Sequence, residues 1–109
     1  MSHEPGEIYV ERRDAERRYV LTADGERAGE LVFRDRSDGV LAFLHTEIDP
    51  ARQQRGLGST LVRAALDDAR RQGFKIVAIC PFVAAYMQDH PEYADLAVAD
   101  PARRRKSGG

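Results

Sequence analysis

The apolar pattern of this chain changes period once, and six residues mark the change. Up to that point apolar residues fall in short β-rich blocks: Ile8 and Val10, Tyr19-Val20-Leu21, Leu31-Val32-Phe33, and Val40 to Ile48. After it, Leu57, Leu61, Ala65 and Ala69, flanked by Val62 and Leu66, recur at helical spacing. Asp67, Asp68, Arg70, Arg71 and Gln72 supply that helix's wet face. The junction is Gln53-Gln54-Arg55-Gly56-Leu57-Gly58. A strand, a glycine turn and a helix in that order make an anion site, because the first turn of a helix has free N–H groups and a partial positive charge. Gly56 and Gly58 keep side chains away from those amides and permit backbone angles other residues resist.

The blocks on either side order themselves into a fold. Residues 7–11 read as a first strand, and residues 12–18 as a charged connection. A second strand starts at Tyr19, and Asp24-Gly25 is a two-residue hairpin signal leading to a third strand over residues 27–34. Asp35 to Gly39 turns the chain into a fourth strand, Val40 to Ile48, apolar on both faces until His45 and therefore expected at the centre of the sheet. Gly73 suits the left-handed position past the end of the helix from Leu57 to Gln72, with Phe74 packing back on the last turn. Residues 75–79 form a short buried strand, and a right-handed crossover makes it parallel to the fourth. Pro81 suits a helix start, residues 82–89 continue that helix, and it must stop before Pro91. Residues 92–98 form a short helix or turn with Tyr93 and Leu96 as packing residues. The expected class is α/β with a mixed sheet: a four-strand antiparallel meander, a strand–helix–strand crossover and a C-terminal helix.

The remaining composition excludes several function classes. The 109 residues fit one small domain, expected over residues 1–100, followed by a mobile basic tail over residues 101–109. A net charge of −1 gives nucleic acid or membrane no claim as the main partner. No apolar run approaches a membrane span, and the polar first six residues lack the core of a signal peptide. The single cysteine, Cys80, suits a reducing compartment, so the expected location is the cytoplasm. Three histidines and one cysteine show no metal-ligand spacing.

Two other phosphate loops fail here. A Walker loop needs a lysine after its second glycine, where this chain has Ser59. The dinucleotide fingerprint needs a third glycine at the position of Leu61 and a parallel sheet around it. A plain strand-to-helix turn with no ligand remains open on those six residues alone. The match extends further, through His45-Thr46-Glu47, Arg55-Gly56-Leu57-Gly58, Leu61-Val62-x-Ala64-Ala65-Leu66, Cys80-Pro81-Phe82-Val83-Ala84-Ala85-Tyr86 and His90-Pro91-Glu92-Tyr93. Together these segments resemble the compact, single-domain branch of the GNAT acetyltransferase superfamily, found in bacteria, plants and animals. The likeness covers residues 40–96 by motif and the N-terminal strands by pattern. That branch lacks the two helices that follow the first strand in full-length members.

The resemblance implies acetyl-CoA as cosubstrate. Its pyrophosphate would lie on the backbone amides from Gln54 to Ser59. Its pantetheine arm would run between the fourth and fifth strands, which splay apart at their C-terminal ends. The implied cofactor-binding residues are Ile48, Gln53, Gln54, Arg55, Gly56, Leu57, Gly58 and Ser59, with Arg55 able to pair with a phosphate. Without the two helices the acceptor side is open.

Acetyl transfer to an amine needs a base for the amine and a proton for the leaving thiolate. Cys80, before a helix start, would feel a field that favours the thiolate, and the resemblance implies a catalytic role; equally, cysteine is a favoured small buried residue at a strand end. His45 and Glu47, two apart on one strand, share a face, read as the face of Leu41 and Phe43. Glu47 is the better base candidate, and His45 is read as mostly structural. Tyr86 corresponds to a tyrosine that protonates the thiolate in many relatives, against a plain role as a core tyrosine. His90 reads as a packing and capping residue.

The resulting reading is an acetyl-CoA-dependent N-acetyltransferase acting on an amine acceptor, such as a lysine or amino terminus of a peptide or protein, as a monomer or weak homodimer. Direct attack with Glu47 as base is preferred over an acetyl-Cys80 step. The alternative function is a CoA-binding module with little transfer activity, acting through a protein partner. A nucleic-acid adaptor using Arg103 to Lys106 ranks below both, because the folded part has no basic stripe interleaved with aromatics.

Overall fold

The structure, a computed structural model, describes residues 8–98, with the side chains of residues 53–55 also outside the described set. Five strands form one sheet in sequence order: β1 (Ile8–Arg13), β2 (Arg18–Ala23), β3 (Glu26–Asp35), β4 (Val40–Ile48) and β5 (Lys75–Ala78). The first four are antiparallel neighbours, and β5 runs parallel to β4. The β2–β3 turn is the expected Asp24-Gly25 hairpin, with φ of 55° and 79° at its two residues. Between β4 and β5 lies α1 (Leu57–Gln72), and α2 (Pro81–Asp89) follows β5.

Helix α1 ends as its sequence predicts. Gly73 adopts φ 84°, its N–H reaches the Arg70 carbonyl, and the N–H of Phe74 reaches back to Ala69. Leu57, Leu61, Val62, Ala65, Leu66 and Ala69 are all buried, on the stripe the periodicity gives. They meet Tyr19, Leu21, Leu31, Phe33, Leu41, Phe43 and Ile76 from one face of the sheet, and Val83 and Tyr86 of α2 join the same core. Both helices therefore pack on a single face. A 3₁₀ turn, Pro91–Leu96, buries Tyr93 and Leu96, and the chain then lies along β5 through a Val98 N–H bond to Ile76.

One irregularity decides what the sheet presents. Cross-strand partners run Leu31 with Thr46 and Val32 with His45, then Phe33 with Phe43, so Leu44 is an extra residue in β4. Beyond such a bulge the alternation of faces is reversed. Thr46 and Ile48 continue the helix-facing side begun by Leu41 and Phe43. His45 and Glu47 point from the opposite side, with their partners Val32 and Glu30. The expectation that His45 and Glu47 share the face of Leu41 and Phe43 is corrected accordingly. A second addition is a 3₁₀ turn, Pro50–Arg55, interposed between β4 and Gly56. No described helix is long and apolar enough to cross a membrane. The basic run Arg103 to Lys106 lies outside the described residues.

Candidate functional site

The site is built where β4 and β5 part. The Phe43 carbonyl accepts two N–H bonds, from Ile79 at 3.0 Å and Cys80 at 2.9 Å. Strand pairing stops there, at Phe43 with Ala78, and the rest of β4 pairs only with β3. Among the described residues no strand pairs with this edge of β4 beyond Phe43, so the backbone over residues 44–47 lies along the gap. Pro81 turns the chain into α2 and carries it away from the gap.

Thr46, Ile48, Gly56, Gly58, Ser59 and Phe82 line a cleft of about 330 Å³ on the helix-facing side of this gap. The hydroxyl of Thr46, one of these residues, lies 3.5 Å from the Cys80 sulfur, a contact that spans the two parted strands, although Cys80 itself is not among the lining residues. Cys80 is only 5% exposed. The upper end of the cleft is the start of α1. Gly56 sits there at φ 71°, a left-handed conformation that explains a glycine, and among the described residues no side chain caps the helix. The first-turn amides of such a helix start have no intrahelical partner. Gly58 has a different reason to lack a side chain. A Cβ there would come within 3.0 Å of the Phe82 ring, so the glycine seats an aromatic residue as well as opening the loop.

A larger and more polar groove of about 520 Å³ runs along residues 27–30 of β3 and residues 46–50, and Glu47, on the opposite side of β4, contributes to it. The two cavities share Thr46 and Ile48. Glu47 lines the second one, its side chain 68% exposed, with an oxygen 3.6 Å from His45 Nε2. Glu30, its cross-strand partner, is held by Arg18 at 2.8 Å and Arg27 at 3.0 Å. Burial alone would raise the Glu30 pKa, but those two bonds prevail and lower it.

The glycine loop is fixed from behind by Arg52. Its guanidinium donates to Glu26 at 2.8 Å and lies 3.4 Å from Asp24, Asp49 and the Ala23 carbonyl. Asp49 in turn caps the 3₁₀ turn by accepting from the Ala51 N–H. Neither residue was singled out by sequence reasoning.

The structure thus brings together Thr46, Ile48, Gly56, Gly58, Ser59 and Cys80, with Glu47 behind them. Leu57 is buried in the core, so it can offer a ligand only its backbone. The side chains of Gln53, Gln54 and Arg55 lie outside the described residues. Tyr86 is not among the residues lining the cleft. Its ring stacks on His90 at 3.9 Å, and His90 Nδ1–H donates to the Tyr86 carbonyl at 2.8 Å. Burial raises its pKa, opposed by Arg63 and reinforced by Glu92 and Asp67, groups of α1 and the last turn. Thr46 and Phe82 are the residues the sequence did not offer. Thr46 reads as half of a polar strand end until the bulge is known, and Phe82 as an ordinary helix residue.

Residues 18–96 match the family described as GCN5-related N-acetyl-transferase. A GCN5-like protein from Staphylococcus aureus has a similar fold, with a TM-score of 0.64 and 19% identity over 84% of this chain and 89% of that one. The ribosomal-protein-S18-alanine N-acetyltransferase of Escherichia coli superposes with a TM-score of 0.50 and 23% identity. That likeness covers 56% of this chain and 41% of the larger enzyme. At these identities both show the fold. No curated protein matches the chain.

Proposed function

This chain belongs to the GCN5-related N-acetyltransferase family, and we propose that it transfers the acetyl group of acetyl-CoA to an exposed amine, a lysine or amino terminus on a peptide or protein. The observation that carries the reading is the pair of cavities sharing Thr46 and Ile48. The helix-facing cleft suits the cosubstrate: amides at the α1 start, uncapped among the described residues, for the pyrophosphate, and the β4 edge beyond Phe43, with no strand beside it among the described residues, for the amide-bearing arm. The opposite groove suits the acceptor, because it is open to solvent and carries Glu47 at the point where β4 separates the two.

Acetyl-CoA supplies the thioester. Glu47 takes the proton released by the acceptor, directly or through a water, as the new C–N bond forms and the C–S bond breaks, and the coenzyme A thiolate leaves and takes up a proton from solvent. Thr46, which lines both cavities and carries a hydroxyl, offers a hydrogen bond there. An open groove admits an amine presented on a large molecule, which is why a peptide or protein acceptor is favoured.

The test is a calorimetric titration with acetyl-CoA of the wild type beside Ser59→Glu. Ser59 is exposed in the first turn of α1 and lines the cleft. A carboxylate there opposes a phosphate, yet favours the helix dipole, so lost binding would not report lost folding. Gly56 is a poorer choice, since any side chain at φ 71° strains the loop. The expected result is wild-type binding weakened about tenfold or more in the variant. A folded wild type with no affinity for acetyl-CoA would sink the transferase reading. Equal affinities would move the phosphates away from α1.

A further inference from the structure

Each of the two strands that border the acceptor groove carries one residue more than its neighbour can pair. Leu44 does this in β4 and turns Glu47 away from the helices; Ala28 does it in β3. Leu21 pairs with Gly29 and Thr22 with Arg27, so Ala28 has no partner on β2, and its side chain is buried in the core. Simple alternation from Glu30 would send Arg27 to the helix side. Instead its guanidinium lies 3.0 Å from Glu30 and 3.1 Å from Glu16, and Arg27 lines the groove together with Glu47. The exit of β4 is tied to the same point, because the Ala28 carbonyl accepts the Asp49 N–H at 2.8 Å. Each bulge therefore re-aims one charged side chain, and both side chains arrive in one cavity.

Arg27 is held there with donors to spare. Both of its bonds use Nη2, which leaves the Nε and Nη1 hydrogens without a partner among the described residues, on a side chain that is 43% exposed. The charge around it decides what those donors suit. Arg18, Arg27, Glu16 and Glu30 form a balanced set, and Glu47 and Asp49 add negative charge to the groove. An anion would meet that excess, whereas a neutral carbonyl oxygen meets the donors without the repulsion. Glu47 lies opposite Glu30 at the spacing of neighbouring strands, roughly 5 Å. Arg27 reaches the far side of that pair, on Glu30. An amine at Glu47 and a carbonyl at Arg27 therefore belong to one acceptor longer than a simple amine, and a peptide carries both groups. On the acetyltransferase reading, on which this inference rests, we propose that Arg27 determines acceptor specificity: it donates to a main-chain carbonyl of a peptide whose amine is presented to Glu47.

A purely structural Arg27 would affect transfer to every amine alike, whereas a carbonyl contact shows only on acceptors that carry a carbonyl. Wild type, Arg27→Gln and Arg27→Lys are assayed with acetyl-CoA on a mixed pool of lysine-containing hexapeptides and on n-butylamine, and their melting midpoints are recorded. The wild type is expected to favour the peptide pool over butylamine in kcat/KM. In Arg27→Gln that preference should fall about tenfold, through KM for the pool rather than kcat, and Arg27→Lys should restore part of it. A preference that is unchanged in Arg27→Gln, whatever its melting midpoint, overturns this inference alone and leaves Arg27 as a tie between Glu16 and Glu30. A wild type that favours butylamine does the same. A wild type that transfers acetyl to neither acceptor overturns the acetyltransferase reading and this inference together.

Discussion

Leu44 gives β4 one residue more than β3 can pair with, and the consequence is that Cys80 and Glu47 serve opposite sides of the sheet. Cys80 touches Thr46 in the helix-facing cleft, whereas Glu47 opens on the groove behind it. A base in the groove suits direct attack by an acceptor entering there. A buried thiol, 5% exposed, is poorly reached by any acceptor from that side. Direct transfer therefore predicts that Glu47→Gln lowers kcat/KM by about a hundredfold or more while acetyl-CoA affinity holds. Cys80→Ala should keep activity within about tenfold, and intact-mass measurement should find no acetylated enzyme. The opposite pattern, an acetyl adduct accumulating in Glu47→Gln and no turnover in Cys80→Ala, would establish a cysteine intermediate. Sequence reasoning named both residues but could not separate their faces. A bulge is a pairing event, and Leu44 between Phe43 and His45 has no residue type that announces it. Phe82 escaped for a related reason, since its meaning lies in an approach to Gly58 from a separate helix.

The strands and helices were largely legible, because each carries its own boundary signals. Val40–Ile48 and Leu57–Gln72 have the bounds their patterns imply, and Pro81 opens α2 as a first-turn proline should. The 3₁₀ turn Pro50–Arg55 was not legible. Its polar residues carry no periodicity, and its stability comes from a distant element, the β2–β3 hairpin, through Arg52. Arg52 has four oxygen partners, and its side chain is mostly covered. Individual surface pairs contribute little, but this group ties the loop before Gly56 to the sheet. Arg52→Ala is expected to lower stability by about 1 kcal/mol. It should also weaken acetyl-CoA binding by roughly fivefold, because the loop must then be ordered by the ligand. Stability assays and titration on the same variant check both, and Arg52→Lys should recover only part, since an ammonium cannot match a planar fork of donors. Full affinity in the alanine variant would mean that the loop needs no anchor.

The molecule as a whole has one face covered by two helices and one face of charged strands. On the second face, Arg18, Arg27, Glu16 and Glu30 form a linked set, with Arg27 reaching Glu16 at 3.1 Å and Glu30 at 3.0 Å. This set rims the groove assigned to the acceptor through Arg27 and Glu30, so its charge state bears on stability and on the site together. Burial works against ionised Glu30, yet hydrogen bonds from Arg18 and Arg27 bring its pKa below the ordinary value of 4.5. A carboxylate whose folded pKa is depressed stabilises the fold fully above its unfolded pKa and loses that contribution as pH falls through the folded one. The stability difference between wild type and Glu30→Gln is therefore expected to be constant, at about 1 kcal/mol, from neutral pH down to the unfolded value. Below pH 4.5 it should shrink steadily towards zero. Denaturation midpoints of both proteins between neutral pH and strongly acidic buffer measure it. A difference that persists unchanged in acid would assign the role of Glu30 to packing, and the charged face would then have to be held by its other pairs.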